Sequence, residues 1–250
     1  MNGAMGSGER KVLLLTGASR GIGHATVQRF SDAGWRIITC SRDVVPPECK
    51  RDPNWTHHIT ADLGDPGDLE HFVAEAKDFL DGPLHALVNN AGVSPKSPTH
   101  ERLATLNGDL QDWHRVFHLN FFVPLILSRA FAPALARGKG AIVNITSIAG
   151  HQVHPFAGSA YSTSKAALSA LTREMAADFA RLGVRVNAVA PGEIETAMLS
   201  PETEVLLPRI PLNRLGIPSD VAGTIFFLCS DDAAYVTGTE ISVNGGQHIY

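Results

Sequence analysis

Seven short runs of apolar and β-branched residues recur along the chain: Lys11 to Thr16, Arg36 to Cys40, Thr56 to Ala61, Leu84 to Asn89, Ala141 to Thr146, Arg185 to Val189 and Glu240 to Val243. Most are separated by longer stretches with helical spacing. Strands this apolar cannot leave either face to water, so their alternation with helices predicts a parallel sheet of about seven strands covered on both sides. A chain of 250 residues, 44% of them hydrophobic, suffices for one such α/β domain. Neither an internal repeat nor an inter-domain linker interrupts the pattern. Residues 1–9, rich in Gly, Ser and Met, read as a flexible tail ahead of a single doubly wound domain over 10–250.

The charge balance narrows the class of partner. With 21 basic and 25 acidic residues, a net charge of −4 and no local block of one sign, nothing favours nucleic acid or an anionic membrane. No uninterrupted apolar run approaches the ~18 residues of a bilayer span, and the N-terminal stretch lacks the apolar core of a signal peptide. Cys40, Cys49 and Cys229 have neither metal-ligand nor CxxC spacing, which suggests a reducing compartment and no metal site. The expected location is cytoplasmic.

The stretch T-G-A-S-R-G-I-G, residues 16 to 23, joins the first strand to a helix over Ile22 to Asp32. Gly17 permits the tight turn, Gly21 lets backbone N–H groups approach a pyrophosphate at the helix N-terminus, and Gly23 lets helix and sheet lie close. This is the layout of a dinucleotide-binding, Rossmann-type fold. Further along, A-Y-S-T-S-K sets Tyr161 and Lys165 four apart, hence on one helix face. An unperturbed phenol titrates near ~10, and an ammonium one turn away would lower that value and ready Tyr161 for proton transfer.

The glycine order GxxxGxG resembles the short-chain dehydrogenase/reductase family. The resemblance continues along nearly the whole chain: Asp62-Leu63 after the third strand, N-N-A-G at 89 to 92 after the fourth, Asn120 in the next helix, Ser147 ending the fifth strand, Tyr161 and Lys165, then Pro191-Gly192 with Thr196 four residues on. It implies an oxidoreductase that reduces a carbonyl or oxidises a secondary alcohol by hydride transfer. In that scheme Tyr161 is general acid/base, Lys165 its electrostatic partner, Ser147 the donor to the reacting oxygen, and Asn120 the holder of a water leading to the lysine. Pro124 supports the last role, because it has no N–H to offer the Asn120 carbonyl, and it also predicts a kinked helix.

By the same resemblance the cofactor would be held by Gly17, Ser19, Arg20, Gly21, Ile22, Gly23, Arg42, Asp62, Leu63, Asn89, Ala91, Gly92, Tyr161, Lys165, Pro191, Gly192, Ile194 and Thr196. Arg42, where an acidic residue would bind the ribose hydroxyls of NAD, together with Arg20 suits a 2′-phosphate, so NADP(H) is expected ahead of NAD(H). The alternative leaves Arg42 in solvent and gives Asp43 the ribose. The family is mostly tetrameric, which implies a homotetramer or homodimer built on helices over Asp109 to Arg137 and Ala160 to Leu182, with Trp113, Phe117, Phe121 and Leu171 among their apolar residues.

Two irregular segments, 93–107 and 193–214, follow strands at the ligand end of the sheet and are the expected substrate loops. Ser147 and Tyr161 stand one residue further apart than is usual in the family. The intervening loop carries His151, His154 and Phe156; without a Cys or third His the histidines do not suggest a metal, and they either shape the substrate pocket or face solvent. Ser219, in G-I-P-S-D-V, is the expected cap of a late helix. The substrate is open: a small or medium carbonyl compound, a steroid-like ketone, a sugar through an NAD-dependent sugar/alcohol dehydrogenase, or a 3-oxoacyl carrier protein. Counting from Lys165, the carrier-docking arginine of 3-oxoacyl reductases falls on Ala177. A non-catalytic nucleotide sensor or scaffold is the reading from a different class.

Overall fold

The computed structural model describes residues 10–44, 52–97, 102–199 and 201–249. The tail, Cys49 and parts of both substrate loops (98–101 and 200) lie outside the described residues. The seven runs form β1 (Val12–Thr16), β2 (Arg36–Ser41), β3 (Trp55–Thr60), β4 (Ala86–Asn89), β5 (Ala141–Ile145), β6 (Arg185–Pro191) and β7 (Glu240–Val243). All pair in parallel, in the order β3-β2-β1-β4-β5-β6-β7. The chain lays β2 and β3 on one side of β1, then returns to place β4 on the other. That reversal opens a crevice at the carboxyl ends of β1 and β4, the usual ligand position in such sheets.

Strand alternation divides the core in two. Val12 and Leu14 join Phe72, Leu127, Phe131, Met175 and Phe179 on one face, beneath α2 (Pro66–Leu80), α4 (Val123–Gly138) and α5 (Ser159–Ala180). Leu13 and Leu15 join Val27, Phe30, Ile225 and Leu228 on the other, beneath α1 (Gly21–Asp32) and α6 (Pro218–Cys229).

Helix starts follow local chemistry. Asp65 caps α2 by accepting from the N–H groups of Gly67 and Asp68 at 2.8 and 3.0 Å, with Pro66 in the first turn. Ser219 does not cap α6. That helix begins at Pro218, and Asp220 reaches back to accept from the Ile217 N–H at 2.9 Å while Arg214 grips its carboxylate at 2.7 Å. The arginine and that N–H hold the Asp220 pKa below its ordinary value.

Between α3 (Leu110–Phe117) and α4, residues His118–Phe122 form a π-helical turn, in which the His118 carbonyl accepts from the Val123 N–H five residues on. The expected proline kink is thus met by an extra residue just upstream, and Pro124 falls in the first turn of α4, where a missing N–H costs least. By length and composition the stretch Leu110–Gly138 matches a membrane span. Here it packs on the sheet, with Leu127, Phe131 and Leu135 in the core.

Candidate active site

The glycine turn is shaped by lack of space. Gly17 has φ +74°, and a Cβ there would stand 2.7 Å from Asn90 Nδ2; a Cβ on Gly23 would stand 2.0 Å from the Gly17 carbonyl oxygen. Asn90 holds the turn from β4, donating to the Thr16 and Gly17 carbonyls at 3.0 and 2.9 Å, while Thr16 Oγ1 accepts from the Asn90 and Ala91 N–H groups. Arg20, extended, precedes α1 and offers no side-chain cap, and no acidic residue stands in the first turn. The first N–H groups of α1 are therefore left to a ligand with oxygen acceptors, and the residues present fit a dinucleotide pyrophosphate. Ile22, the second residue of α1, packs partly into the core, and the Thr196 methyl lies over Gly21, 3.1 Å from where a Cβ would be.

The other expected cofactor residues divide into those that reach the crevice and those that do not. Arg20 and Arg42 are exposed beside it. Ser19 Oγ meets Asp43 Oδ2 at 3.4 Å, and Ser41 Oγ and His58 Nε2 both bond the Asp43 carbonyl, at 2.7 and 2.9 Å. Burial lowers the His58 pKa. Asp62 accepts from the Gly64 N–H at 2.9 Å, whereas the Leu63 side chain enters the core and leaves only backbone for a ligand. The Asn89 side chain turns inward, donating to Asn144 Oδ1 at 2.8 Å; Asn144 in turn donates to Thr172 Oγ1. Strand alternation gives the crevice to Asn90 rather than Asn89. Pro191 ends β6, Gly192 donates to the Val243 carbonyl, and Ile194 bridges Gly216 from the core.

Ser147, Tyr161, Lys165 and Asn120 converge beyond β5. Ser147 caps a short turn by accepting from the Ala149 N–H and lies within hydrogen-bonding reach of the Tyr161 phenol. Lys165 is buried at 4% exposure, its Nζ 5.8 Å from the Tyr161 ring centre and donating to the Ile145 carbonyl at 2.6 Å. Fully buried Asn120 accepts from the Val93 N–H and donates to the Val93 carbonyl and Ser164 Oγ. A Cβ on Gly92 would touch both Asn120 Oδ1 (3.2 Å) and Lys165 Nζ (3.4 Å), which fixes the two side chains as neighbours of that backbone.

The electrostatics differ from the sequence expectation in one respect. Burial raises the Tyr161 pKa; the Ser147 hydrogen bond works against that rise and the Glu193 charge adds to it. Burial likewise depresses Lys165, to about 8. Without a cofactor charge the phenol stays protonated, because desolvation penalises the phenolate and the ammonium is turned to a backbone carbonyl.

The loop before Tyr161 is tied to three segments. His151 meets Glu240 of β7 at 2.5 Å, and His154 meets Glu193 beyond β6 at 2.5 Å. Lys96 and Arg102, both within the first substrate loop, donate to the Phe156 and Ala157 carbonyls. His154 is buried rather than solvent-facing, and among the described residues no His/Cys/Asp/Glu group has metal-site geometry. Pro95, Leu103, Asp112, Trp113 and Tyr161 line a shallow, narrow cavity.

A solved structure of an oxidoreductase from Brucella ovis, described as of the short chain dehydrogenase/reductase family and in complex with a partially ordered NAD, superposes with a TM-score of 0.80; it is 49% identical and covers 94% of this chain and 100% of that one. A family model described as enoyl-(acyl carrier protein) reductase matches residues 17–248. The chain belongs to the short-chain dehydrogenase/reductase family. Protein FixR of Bradyrhizobium diazoefficiens is 56% identical over 252 residues, 100% of this chain and 91% of that protein. Galactitol 2-dehydrogenase (L-tagatose-forming) of Cereibacter sphaeroides is 37% identical over 247 residues, 94% of each. Members of the family are oxidoreductases that bind NAD(P)(H) and act on small molecules. Among the residues that sequence reasoning did not single out, Asn90 braces the glycine turn and Glu193 and Glu240 tie the loop before Tyr161. Strand alternation after Asn89 signals the first; the glutamates have no local signal, because their partners lie 39 and 89 residues away.

Proposed function

We propose that this member of the family interconverts a carbonyl and a secondary alcohol with NADP(H). The observation that carries the reading is Ser147 within reach of the Tyr161 phenol, with buried Lys165 one helical turn on, beyond the carboxyl end of β5. Ser147 donates to the substrate oxygen and stabilises its growing charge. Tyr161 gives that oxygen a proton in reduction and takes one in oxidation. Lys165, desolvated to about 8, favours the phenolate once it faces the phenol, and Asn120, bonded across Val93 and Ser164, keeps the lysine's surroundings polar. The nicotinamide, when bound, supplies or accepts the hydride. Gly17, Ser19, Gly21, Ile22 and Gly23 would hold its pyrophosphate, Asp62, Leu63, Ala91 and Gly92 the adenosine side, and Pro191, Gly192, Ile194 and Thr196 the nicotinamide half. Exposed Arg20 and Arg42 would take a 2′-phosphate.

A second reading, NAD(H), is favoured by Asp43, whose carboxylate meets Ser19 at the rim of the turn, and NAD is the cofactor in the Brucella ovis structure. A sugar alcohol or other small carbonyl compound suits the site; a carrier-bound substrate is disfavoured by Ala177. The half-exposed aromatic run Trp113, Phe117 and Phe121, with exposed Phe122 and Ile126, supports a homotetramer or homodimer, and the buried free thiols Cys40 and Cys229 support a cytoplasmic setting.

Oxidation of an alcohol panel and reduction of a carbonyl panel, followed at 340 nm with both cofactors, test the reading. Tyr161→Phe is expected to lower turnover by about 10²–10⁴-fold with cofactor affinity kept. Turnover unchanged in Tyr161→Phe would leave the chain as a nucleotide-binding sensor. Arg42→Ala weakening NADPH binding but not NADH binding would assign the 2′-phosphate, and the reverse pattern in Asp43→Ala would assign NAD.

A further inference from the structure

Glu193, the first residue after Pro191-Gly192, is 8% exposed, and His154, midway between Ser147 and Tyr161 in sequence, is 7% exposed. Two backbone N–H groups, of Phe156 and Ala157, point at His154 Nδ1 from 3.2 Å. The ring proton therefore stands on Nε2, which donates to Glu193 Oε1 at 2.5 Å. Glu193 Oε1 is the oxygen that takes this bond, and because a carboxylate accepts about four hydrogen bonds, Oε2 keeps capacity for a further donor. A device meant only to pin the loop would be met more cheaply by apolar packing, since buried ionic groups rarely outperform hydrophobic replacements. The pair sits in the reacting centre: the Glu193 charge is felt by the Tyr161 phenol, and β5 and β6 run in register up to Ile145 and Val189, just before Ser147 and Pro191.

We propose that Glu193 is a specificity-determining residue, held by His154, whose second carboxylate oxygen accepts a hydrogen bond from a donor, hydroxyl or ammonium, on the substrate carbon next to the reacting one. The placement of that donor rests on the carbonyl–alcohol reading above. The class of substrate is then a vicinal diol, hydroxyketone or amino alcohol rather than a plain ketone or alcohol.

Three matched probes test this: cyclohexanol, 1,2-cyclohexanediol and 2-aminocyclohexanol. For each, kcat/KM is measured with oxidised cofactor, and Kd is measured by calorimetry on cofactor-loaded Tyr161→Phe protein. The wild type is expected to favour the diol, the amino alcohol or both over cyclohexanol by about tenfold or more, the worth of one hydrogen bond to a buried charge. In Glu193→Leu that ratio is expected to fall to near one. In Glu193→Gln, whose amide oxygen keeps the His154 bond and whose NH2 takes the place of Oε2, the diol preference is expected to survive, because a hydroxyl also accepts, and the amino alcohol preference to fall, because an ammonium does not. Thermal melts of both variants verify folding. A ratio near one in the wild type, or a ratio that Glu193→Leu leaves unchanged while lowering Tm, overturns the inference. Preferential binding that depends on Glu193 without turnover of any probe keeps the inference and overturns the carbonyl–alcohol reading; turnover without preference does the opposite.

Discussion

The glycine turn after β1 and the loop before α5 flank one crevice but are made of different material. The turn is backbone: Gly17 and Gly23 leave no room for a Cβ, and one side chain, Asn90, braces it through two carbonyls. The loop is held by side chains from elsewhere, with His151 on Glu240, His154 on Glu193, and Lys96 and Arg102 on its carbonyls. Backbone shape suits a ligand part that never varies, such as a pyrophosphate, because its determinants cannot drift singly. Paired side chains suit a part that differs between enzymes, since one substitution changes the pocket while strands and helices stay as they are.

The largest effect expected comes from the residue that joins the two regions. Lys165→Met should lower turnover by about 10²–10⁴-fold and yet raise Tm at neutral pH. The folded-state pKa of about 8 lies below the ordinary 10.5, so the unfolded chain binds more protons between those values and stability rises with pH there. The penalty of the buried ammonium is complete below about 8 and relieved by 10.5, worth about 3 kcal/mol at most. The Tm difference between Lys165→Met and wild type should therefore shrink as melts are recorded at rising pH. A constant difference would assign the gain to packing instead.

Asn90→Ala tests the brace. Loss of both carbonyl bonds is expected to cost about 1–3 kcal/mol in urea unfolding and to weaken cofactor binding about tenfold, read by fluorescence titration, with less effect on KM for substrate. Equal damage to both constants would blur the distinction between the two regions. His151→Ala probes the more exposed loop tie, whose imidazole is half in solvent. It should cost about 1 kcal/mol or less and leave cofactor affinity unmoved; a shift in cofactor affinity would show the loop acting on the turn.

The same contrast explains what was legible beforehand. Each strand carries its own apolar run, and burial of successive residues on opposite faces, Val12 and Leu14 against Leu13 and Leu15, follows from period-two geometry, so the sheet was readable. The glycine turn and Tyr161-x-x-x-Lys165 are contiguous and were readable for the same reason. The Asn89 side chain faces inward and that of Asn90 the glycine turn, and N-N gives no sign of which does which until the strand's phase is known. The cap of α6 was misassigned to Ser219, since Asp220 gains its place from Arg214 and the Ile217 N–H together. His154 with Glu193 was beyond reach, because that pairing exists only after β6 lies beside β5.

The π-helical turn at His118–Phe122 sets a register. An α-helix advances about 100° and 1.5 Å per residue, so one surplus residue decides which way everything upstream of α4 faces. Deleting any residue from that turn would remove the bulge and swing α3, with Trp113 and Asp112 of the cavity wall, by about 100° around the axis relative to α4, while leaving Pro124 inside a continuous helix with no N–H for the carbonyl four residues before it. For an engineer this makes the segment a dial with two settings: a bulge-free helix strained at Pro124 whose wall faces elsewhere, or the present bulge, which keeps that wall opposite Tyr161.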